Sequence, residues 1–260
     1  MATSEMTLLD AVYREVTKTL SYNSIPYDFK HYYGLPAADD DISVKKRIIS
    51  IEGNIGAGKS TLLEHIRTRL ESDPLIKKGQ IVCTQEPVDL WESVKEDTTG
   101  ESILTKFYKE PAKYAFAFQV MAYTSRLTAF QRAFESNPDC EVVLCERSLE
   151  ADRNIFAKML HDDGMIDEVS HKIYTMLHDN TAKAFPIDTV IYLDVSPDVC
   201  LERIGRRARE GEGQISLEYL VKCDNYYKTW MQNTNIQVST FQSPHTPSTY
   251  DSTEPYTLCA

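Results

Sequence analysis

Short apolar runs alternate along this chain with longer stretches whose apolar residues recur at helical spacing. Arg47-Ile48-Ile49-Ser50-Ile51, Ile81-Val82-Cys83-Thr84-Gln85, Glu141-Val142-Val143-Leu144-Cys145 and Thr189-Val190-Ile191-Tyr192-Leu193 are close to continuously apolar, the pattern of strands covered on both faces. Helices are predicted between them. One starts at Leu62-Leu63-Glu64-His65-Ile66. A long one runs to about Glu135 from Pro111, a residue suited to the first helical position. Leu149 to His161, Ile166 to Ala184, Pro197 to Arg209 and Ser216 to Gln232 follow, and Ile236 to Phe241 reads as a last strand. This alternation predicts an α/β fold: a parallel sheet of about five strands with helices on both faces. Ligands on such sheets sit at the carboxyl ends of the strands, where the sequence puts Glu86, Glu146 and Asp194.

Residues 1–46 precede this core as an extension. Leu8, Leu9, Val12, Val16 and Leu20 make a helical apolar stripe, which predicts a short docking helix. Pro26, Pro36 and Asp39-Asp40-Asp41 predict a loosely ordered arm after it. The core domain is expected over 47–235. Residues 236–260 are rich in Ser, Thr and Pro, and beyond the last strand they are expected to be a disordered tail.

Composition narrows the partners. A formal net charge of −11 does not suit a nucleic-acid polymer, which needs a basic face, whereas small phosphates need only local positive charge. No apolar run approaches the length of a membrane span. The six cysteines form no CxxC pair, so buried reduced thiols are expected. The six histidines lack metal-ligand spacing, and His171 and His178 read as solvated helix positions. Glu5, Asp10 and Glu15 do not suit a mitochondrial transit peptide, so the expectation is a cytosolic protein with access to the nucleus.

The sharpest motif is Gly53-Asn54-Ile55-Gly56-Ala57-Gly58-Lys59-Ser60-Thr61. It stands between a predicted strand and a predicted helix, the context of a GxxxxGK[ST] P-loop. Its glycines let backbone N–H groups converge on phosphates, and the helix N-terminus adds partial positive charge. Lys59 would reach the outer phosphates and the Ser60 hydroxyl would bind Mg²⁺.

Three clusters narrow the chemistry further. Glu86-Pro87-Val88, with Trp91 close behind, follows the second strand, so a carboxylate there would face the P-loop ligand; the plainer alternative is an acid favoured by a helix N-terminus. Glu146-Arg147-Ser148 ends the third strand. Glu146 could bind Mg²⁺ directly or through water, Arg147 could steady a transferring phosphoryl group, and Ser148 could simply cap the next helix. The run Arg203-Ile204-Gly205-Arg206-Arg207-Ala208-Arg209-Glu210-Gly211-Glu212-Gly213 reads as an arginine-rich lid that closes over a nucleotide, against the ordinary alternative of a solvated basic helix face.

Together these segments resemble the deoxynucleoside kinase family, on its deoxycytidine and deoxyguanosine side, from about Arg47 to Trp230. Tyr108-Lys109-Glu110-Pro111, Phe116-Ala117-Phe118-Gln119 with Ser125-Arg126, Asp152-Arg153-Asn154-Ile155-Phe156-Ala157 and Leu217-Glu218-Tyr219-Leu220 carry the resemblance along with the motifs above. It implies a P-loop kinase fold that transfers the terminal phosphate of ATP, or UTP, to the 5′-hydroxyl of a deoxynucleoside with Mg²⁺, as a homodimer. It implies that Glu86 takes the proton of the 5′-hydroxyl, that Arg147 acts on the same oxygen and that Glu146 stands on the Mg²⁺ side; which of the two carboxylates accepts the proton stays open. Tyr108 and Glu212 resemble the pair that binds the 3′-hydroxyl. Trp91, Phe118 and Phe156 resemble the walls around the base, and Arg203, Arg207 and Arg209 the lid arginines. After Asn235 the chain departs from the family pattern, which leaves the adenine end of the donor site open.

Spacing supports a reader of base edges. Gln119, Ala122 and Arg126 fall at i, i+3 and i+7 and share a helix face. Gln119 offers a donor and an acceptor, and an ionised Asp152 accepts from an amino group but repels a carbonyl oxygen. Arg126 can hold Asp152, and Ala122 leaves room for a larger base. This set favours deoxycytidine, with deoxyadenosine and deoxyguanosine as further substrates; a purely structural Arg–Asp pair is the alternative. A nucleoside monophosphate kinase would need positive groups where Glu86 stands. A kinase-like binding module without catalysis is at odds with the intact Lys59, Ser60, Glu86 and Arg147.

Overall fold

The computed structural model describes residues 7–18, 20, 46–209, 212–242 and 257–259. Among them, one sheet of six strands runs in the order β2-β3-β1-β4-β5-β6. β1 (Arg47–Gly53), β2 (Ile81–Thr84), β3 (Val142–Glu146), β4 (Thr189–Asp194) and β5 (Gln237–Gln242) are parallel. The expected strands are all present. β6 (Thr257–Cys259) pairs antiparallel with β5, a strand that the tail's composition did not predict. A run of three residues is too short to display a strand's alternation in the sequence. Residues 243–256 of the tail lie outside the described residues.

Side-chain alternation along β1 sorts the core into two layers. Ile49 and Ile51 join Leu62, Leu63, Leu144, Ile191, Leu193 and Ile204 on one face. Ile48 joins Tyr123, Phe130, Val143, Val190, Tyr192 and Tyr227 on the other. Helix α1 (Leu8–Thr17) lays the predicted stripe of Leu8, Val12 and Val16 into the first layer and is capped by Thr7, whose hydroxyl oxygen accepts from the Asp10 N–H. It docks on α2 (Lys59–Ser72): Arg69 donates to Asp10 at 2.7 Å, and the Tyr13 hydroxyl donates to Asp73. Most of the arm expected between this helix and β1 lies outside the described residues.

Two short helices, α3 (Val88–Ser93) and α4 (Ile103–Lys109), were not anticipated, because neither is long enough to display a helical period. They pack Trp91, Leu104 and Phe107 against Phe118 of the long helix α5 (Pro111–Ser136). After β3, the chain forms one winding helix, α6: Leu149–Ala151, a π-helical stretch Asp152–Ala157, then Lys158–Asp162. α7 (Glu168–Thr181), α8 (Pro197–Arg207) and α9 (Leu217–Asn233) complete the helices used below. His178 on α7 is buried beside Glu150 at 3.2 Å, so the solvated position expected for it is corrected: the helix turns that face inward, against Tyr123. Among the described residues, Cys140, Cys145, Cys200 and Cys223 are buried free thiols and Cys83 is half-buried.

Candidate active site

The loop after β1 is shaped by glycines that no other residue could replace in place. Gly56 has φ +80°, and a Cβ there would lie 2.5 Å from the Cys200 carbonyl oxygen. Gly53, at φ +147°, would meet the Leu193 carbonyl oxygen at 2.7 Å. The turn leads into α2 with Lys59 as its first residue, so N–H groups of the first helical turn lack intrahelical partners there.

A cavity of about 530 Å³ opens above this loop at the carboxyl ends of β1, β2 and β3. Ile55, Gly56, Gly58, Lys59, Ser60 and Thr61 line one end. Gly53, Asn54 and Ala57 do not line it. They support the loop from behind: Asn54 Nδ2 donates to the Leu220 carbonyl at 2.8 Å, and the carbonyls of Gly53 and Ala57 accept from Arg147 and Arg203. At the other end stand Trp91, Phe118, Gln119, Ala122, Arg126, Asp152 and Phe156, with Glu86, Glu146 and Arg147 between the two ends. Tyr108, Arg203, Arg207, Arg209 and Glu212 close the side. Asp194, though at a strand end, is not in the lining; it faces Gln242 and Lys228.

Charge is dense here. Six cations of this acidic chain (Lys59, Arg126, Arg147, Arg203, Arg207 and Arg209) converge on one cavity, which supplies the local positive field that small phosphates require. Lys59 is buried and donates to the Asn54 carbonyl at 2.9 Å. Burial, with Arg147 close by, pulls its ammonium down to about 8, against the opposing pull of Glu146, Glu86 and Glu52. Ser60 Oγ donates to Glu146 Oε1 at 2.7 Å.

Glu86 lies between two guanidinium groups, 3.1 Å from Arg126 Nη2 and 3.1 Å from Arg147 Nε. Burial alone would raise its carboxyl, but Arg147, Arg126 and Lys59 outweigh that and hold it below the usual carboxylate range. Arg126 also binds Asp152 through Nε at 2.9 Å and the Glu146 carbonyl through Nη1 at 2.7 Å. The π-helical widening of α6 carries both Asp152 and Phe156 to the cavity, a local distortion of the kind that recurs at functional sites. Gln119 is buried, lines the cavity and has a side-chain oxygen with no hydrogen-bond partner among the described residues.

Phe107 and Phe118 stack at 4.7 Å, and Trp91 meets Phe118 edge-on at 5.4 Å while donating to Ser125 Oγ at 3.0 Å. This makes a flat apolar slot beside the polar edge of Gln119 and Asp152. Glu212 binds Arg207 at 2.7 Å and Arg209 at 3.4 Å. Burial and the nearby Glu212 carboxylate raise the pKa of Tyr108.

Several residues of the site escaped sequence reasoning. Gln85, Leu104, Phe107 and Tyr219 line the cavity too. Glu52 is fully buried beneath it, accepts from Ser148 Oγ at 2.6 Å and from the Tyr227 hydroxyl at 3.2 Å, and has its carboxyl raised by burial. An acid inside an otherwise apolar strand, one residue before a P-loop, was the available signal, since a buried charge is costly without partners. Tyr227 left no comparable signal, because α9 holds other tyrosines with solvent contact.

The comparisons with known proteins agree with this geometry. The deoxynucleoside kinase family model matches residues 49–251, so the match runs past Asn235 and corrects the departure from the family pattern expected there. The chain is 33% identical over 189 residues to a probable deoxycytidine kinase of fowlpox virus, covering 72% of each chain. It is 33% identical to deoxycytidine kinase 2 of Gallus gallus and 31% identical to the deoxycytidine kinase of Homo sapiens, in both cases over 78% of this chain and 81% of the relative. A P-loop, a facing carboxylate between two arginines and a slot for a planar ring thus stand in one cavity of a chain that belongs to the deoxynucleoside kinase family, phosphotransferases that act on a deoxynucleoside hydroxyl.

Proposed function

We propose that this cavity transfers the terminal phosphoryl group of ATP, or UTP, to the 5′-hydroxyl of deoxycytidine, with deoxyadenosine and deoxyguanosine as further acceptors. The observation that carries the reading is that Glu86 and Lys59 open on the same cavity, with the aromatic slot on the far side of Glu86. The base lies between Phe118 and Phe156. Gln119 and Asp152 meet its polar edge; burial raises the Asp152 carboxyl, and the bidentate hold of Arg126 opposes that and favours the acceptor form. An acceptor at that point favours an amino group over a carbonyl oxygen, which separates cytosine from thymine.

Glu86 takes the proton of the 5′-hydroxyl. Its arginines keep it ionised at neutral pH, the state in which it can accept. Glu146 is the alternative acceptor, but its bond to Ser60 ties it to the phosphate end. Arg147 and Lys59 face the charge that spreads over the transferring group, where fixed cations lower the barrier most. Ser60 Oγ and Glu146 Oε1 are 2.7 Å apart, both hard oxygen donors, which suits Mg²⁺ held mainly by phosphates and water. When bound there, the ion would supply neutralisation of phosphate charge. Arg207 and Arg209 leave Glu212 for the triphosphate, and Glu212 then turns with Tyr108 to the 3′-hydroxyl. The protein works as a homodimer through α5 and α6, in the cytosol with access to the nucleus.

A coupled assay of the purified chain with the four deoxynucleosides, and with ATP and UTP as donors, tests this. Turnover with deoxycytidine and little with thymidine is expected. Transfer to dTMP and to no nucleoside would defeat it.

A further inference from the structure

Glu52 and Tyr227 lie outside the cavity lining, yet both bear on Arg147. Glu52 faces the same side of β1 as Ser50, and its Oε1 accepts from the hydroxyls of Ser50 and Ser148. Its Oε2 accepts from the Tyr227 hydroxyl at 3.2 Å. A tyrosine hydroxyl has a single hydrogen, so donation to Glu52 leaves only lone pairs toward Arg147, and Arg147 Nη1 donates to them. The same Nη1 donates to the Gly53 carbonyl at 3.1 Å, while Nε, on the other side of the guanidinium, meets Glu86 at 3.1 Å. The Phe156 ring lies against the guanidinium face, 4.7 Å from Cζ. The Arg147 backbone holds φ 62°, a left-handed conformation rare for a residue with a Cβ.

We propose that Tyr227 is a positioning residue for phosphoryl transfer. Its hydroxyl, anchored on Glu52, fixes the plane of the Arg147 guanidinium so that Nε faces Glu86 and the transferring group. This rests on the reading of Arg147 given above. The ring of Tyr227 has a separate packing role: it stacks on Tyr192 at 5.8 Å and meets Phe156 edge-on at 6.5 Å. Phenylalanine at 227 keeps that packing and removes only the bridge. Tyr227 itself does not line the cavity, so the loss is expected on the chemical step and not on substrate affinity.

Steady-state kinetics of Tyr227→Phe, Arg147→Lys and the double variant separate the roles. Tyr227→Phe is expected to lower kcat about tenfold and leave KM for deoxycytidine and for ATP within about twofold. In the Arg147→Lys background the same substitution is expected to change kcat by less than about twofold, because its effect runs through the guanidinium. Glu52→Gln, which keeps shape and an acceptor for the hydroxyls, is expected to lose roughly threefold in kcat and provides an independent reading of the bridge. A Tyr227→Phe enzyme with unchanged kcat, or an undiminished loss in the Arg147→Lys background, would overturn the proposal. Arg147→Lys with wild-type kcat would instead remove the role assigned to Arg147 itself.

Discussion

At the end of the cavity proposed for phosphate, one continuous stretch from Gly53 to Thr61 forms the loop, with Ile55, Gly56 and Gly58 to Thr61 in the lining. At the end proposed for the base, Trp91, Gln119, Arg126, Asp152 and Phe156 converge from three helices, and side chains form the lining. The first end tolerates least change at Gly53 and Gly56, where a Cβ would collide with backbone oxygens. The second depends on an ionic network, Glu86–Arg126–Asp152, in which loss of Arg126 leaves the buried Asp152 without its ion-pair partner. The difference puts local sequence in charge of the first end and long-range packing in charge of the second.

The largest expected effect tests the phosphate end. Lys59→Met should lower kcat about a thousandfold, the scale of removing a cation from a preorganised phosphoryl site. It should also raise the melting temperature of the nucleotide-free protein at pH 7, because a lysine held near 8 by burial costs stability while charged. A variant that is inactive and less stable would contradict the second half of that expectation. Glu86→Gln probes the junction of the two ends. Its kcat should fall roughly a hundredfold or more while ATP affinity, measured by equilibrium titration, stays unchanged. A collapse of ATP binding would mean that Glu86 serves the cradle and not the acceptor.

At the base end, Arg126→Met with Asp152→Ala should raise the thymidine-to-deoxycytidine ratio of kcat/KM about tenfold. The pair is changed together because Arg126→Met alone leaves Asp152 a buried charge without its ion-pair partner. An unchanged ratio would make the pair structural and erase the contrast drawn above. The smallest effect is a pH dependence. Below about 8 the Lys59 ammonium is charged in the folded protein, and above it the proton must be taken up before phosphate can be held. Triphosphate affinity of the nucleoside-free protein should therefore weaken roughly fourfold from pH 7 to 8.5. Over the window from about 8 to 10.5, the unfolded lysine keeps a proton that the folded one has lost, so the stability of the nucleotide-free protein rises with pH. A flat binding profile would show that the cradle works through its backbone alone.

The parallel strands, the long helix from Pro111 and the P-loop were all legible in the sequence, since each rests on a local pattern of apolar spacing or backbone permissiveness. The short helices α3 and α4 were not, because seven residues or fewer display no period. Gln119, Ala122 and Arg126 could be put on one face by counting alone, but their meeting with Asp152 is a contact between helices separated by a strand. The bridge from Glu52 through Tyr227 to Arg147 joins three segments distant in the chain, and no one of them signals the others.

What the sequence determined by itself is the cradle and the frame around it: glycine spacing fixes where backbone N–H groups converge, and apolar runs fix which strands must be covered on both faces. Tertiary structure alone decided which charges share the cavity, which stand behind it and how far Lys59 and Glu86 depart from their ordinary protonation behaviour. The physical reason is one of range. Backbone conformation and burial pattern are set by neighbours in the chain, whereas desolvation and ion pairing depend on groups that meet only when the sheet and its helices close.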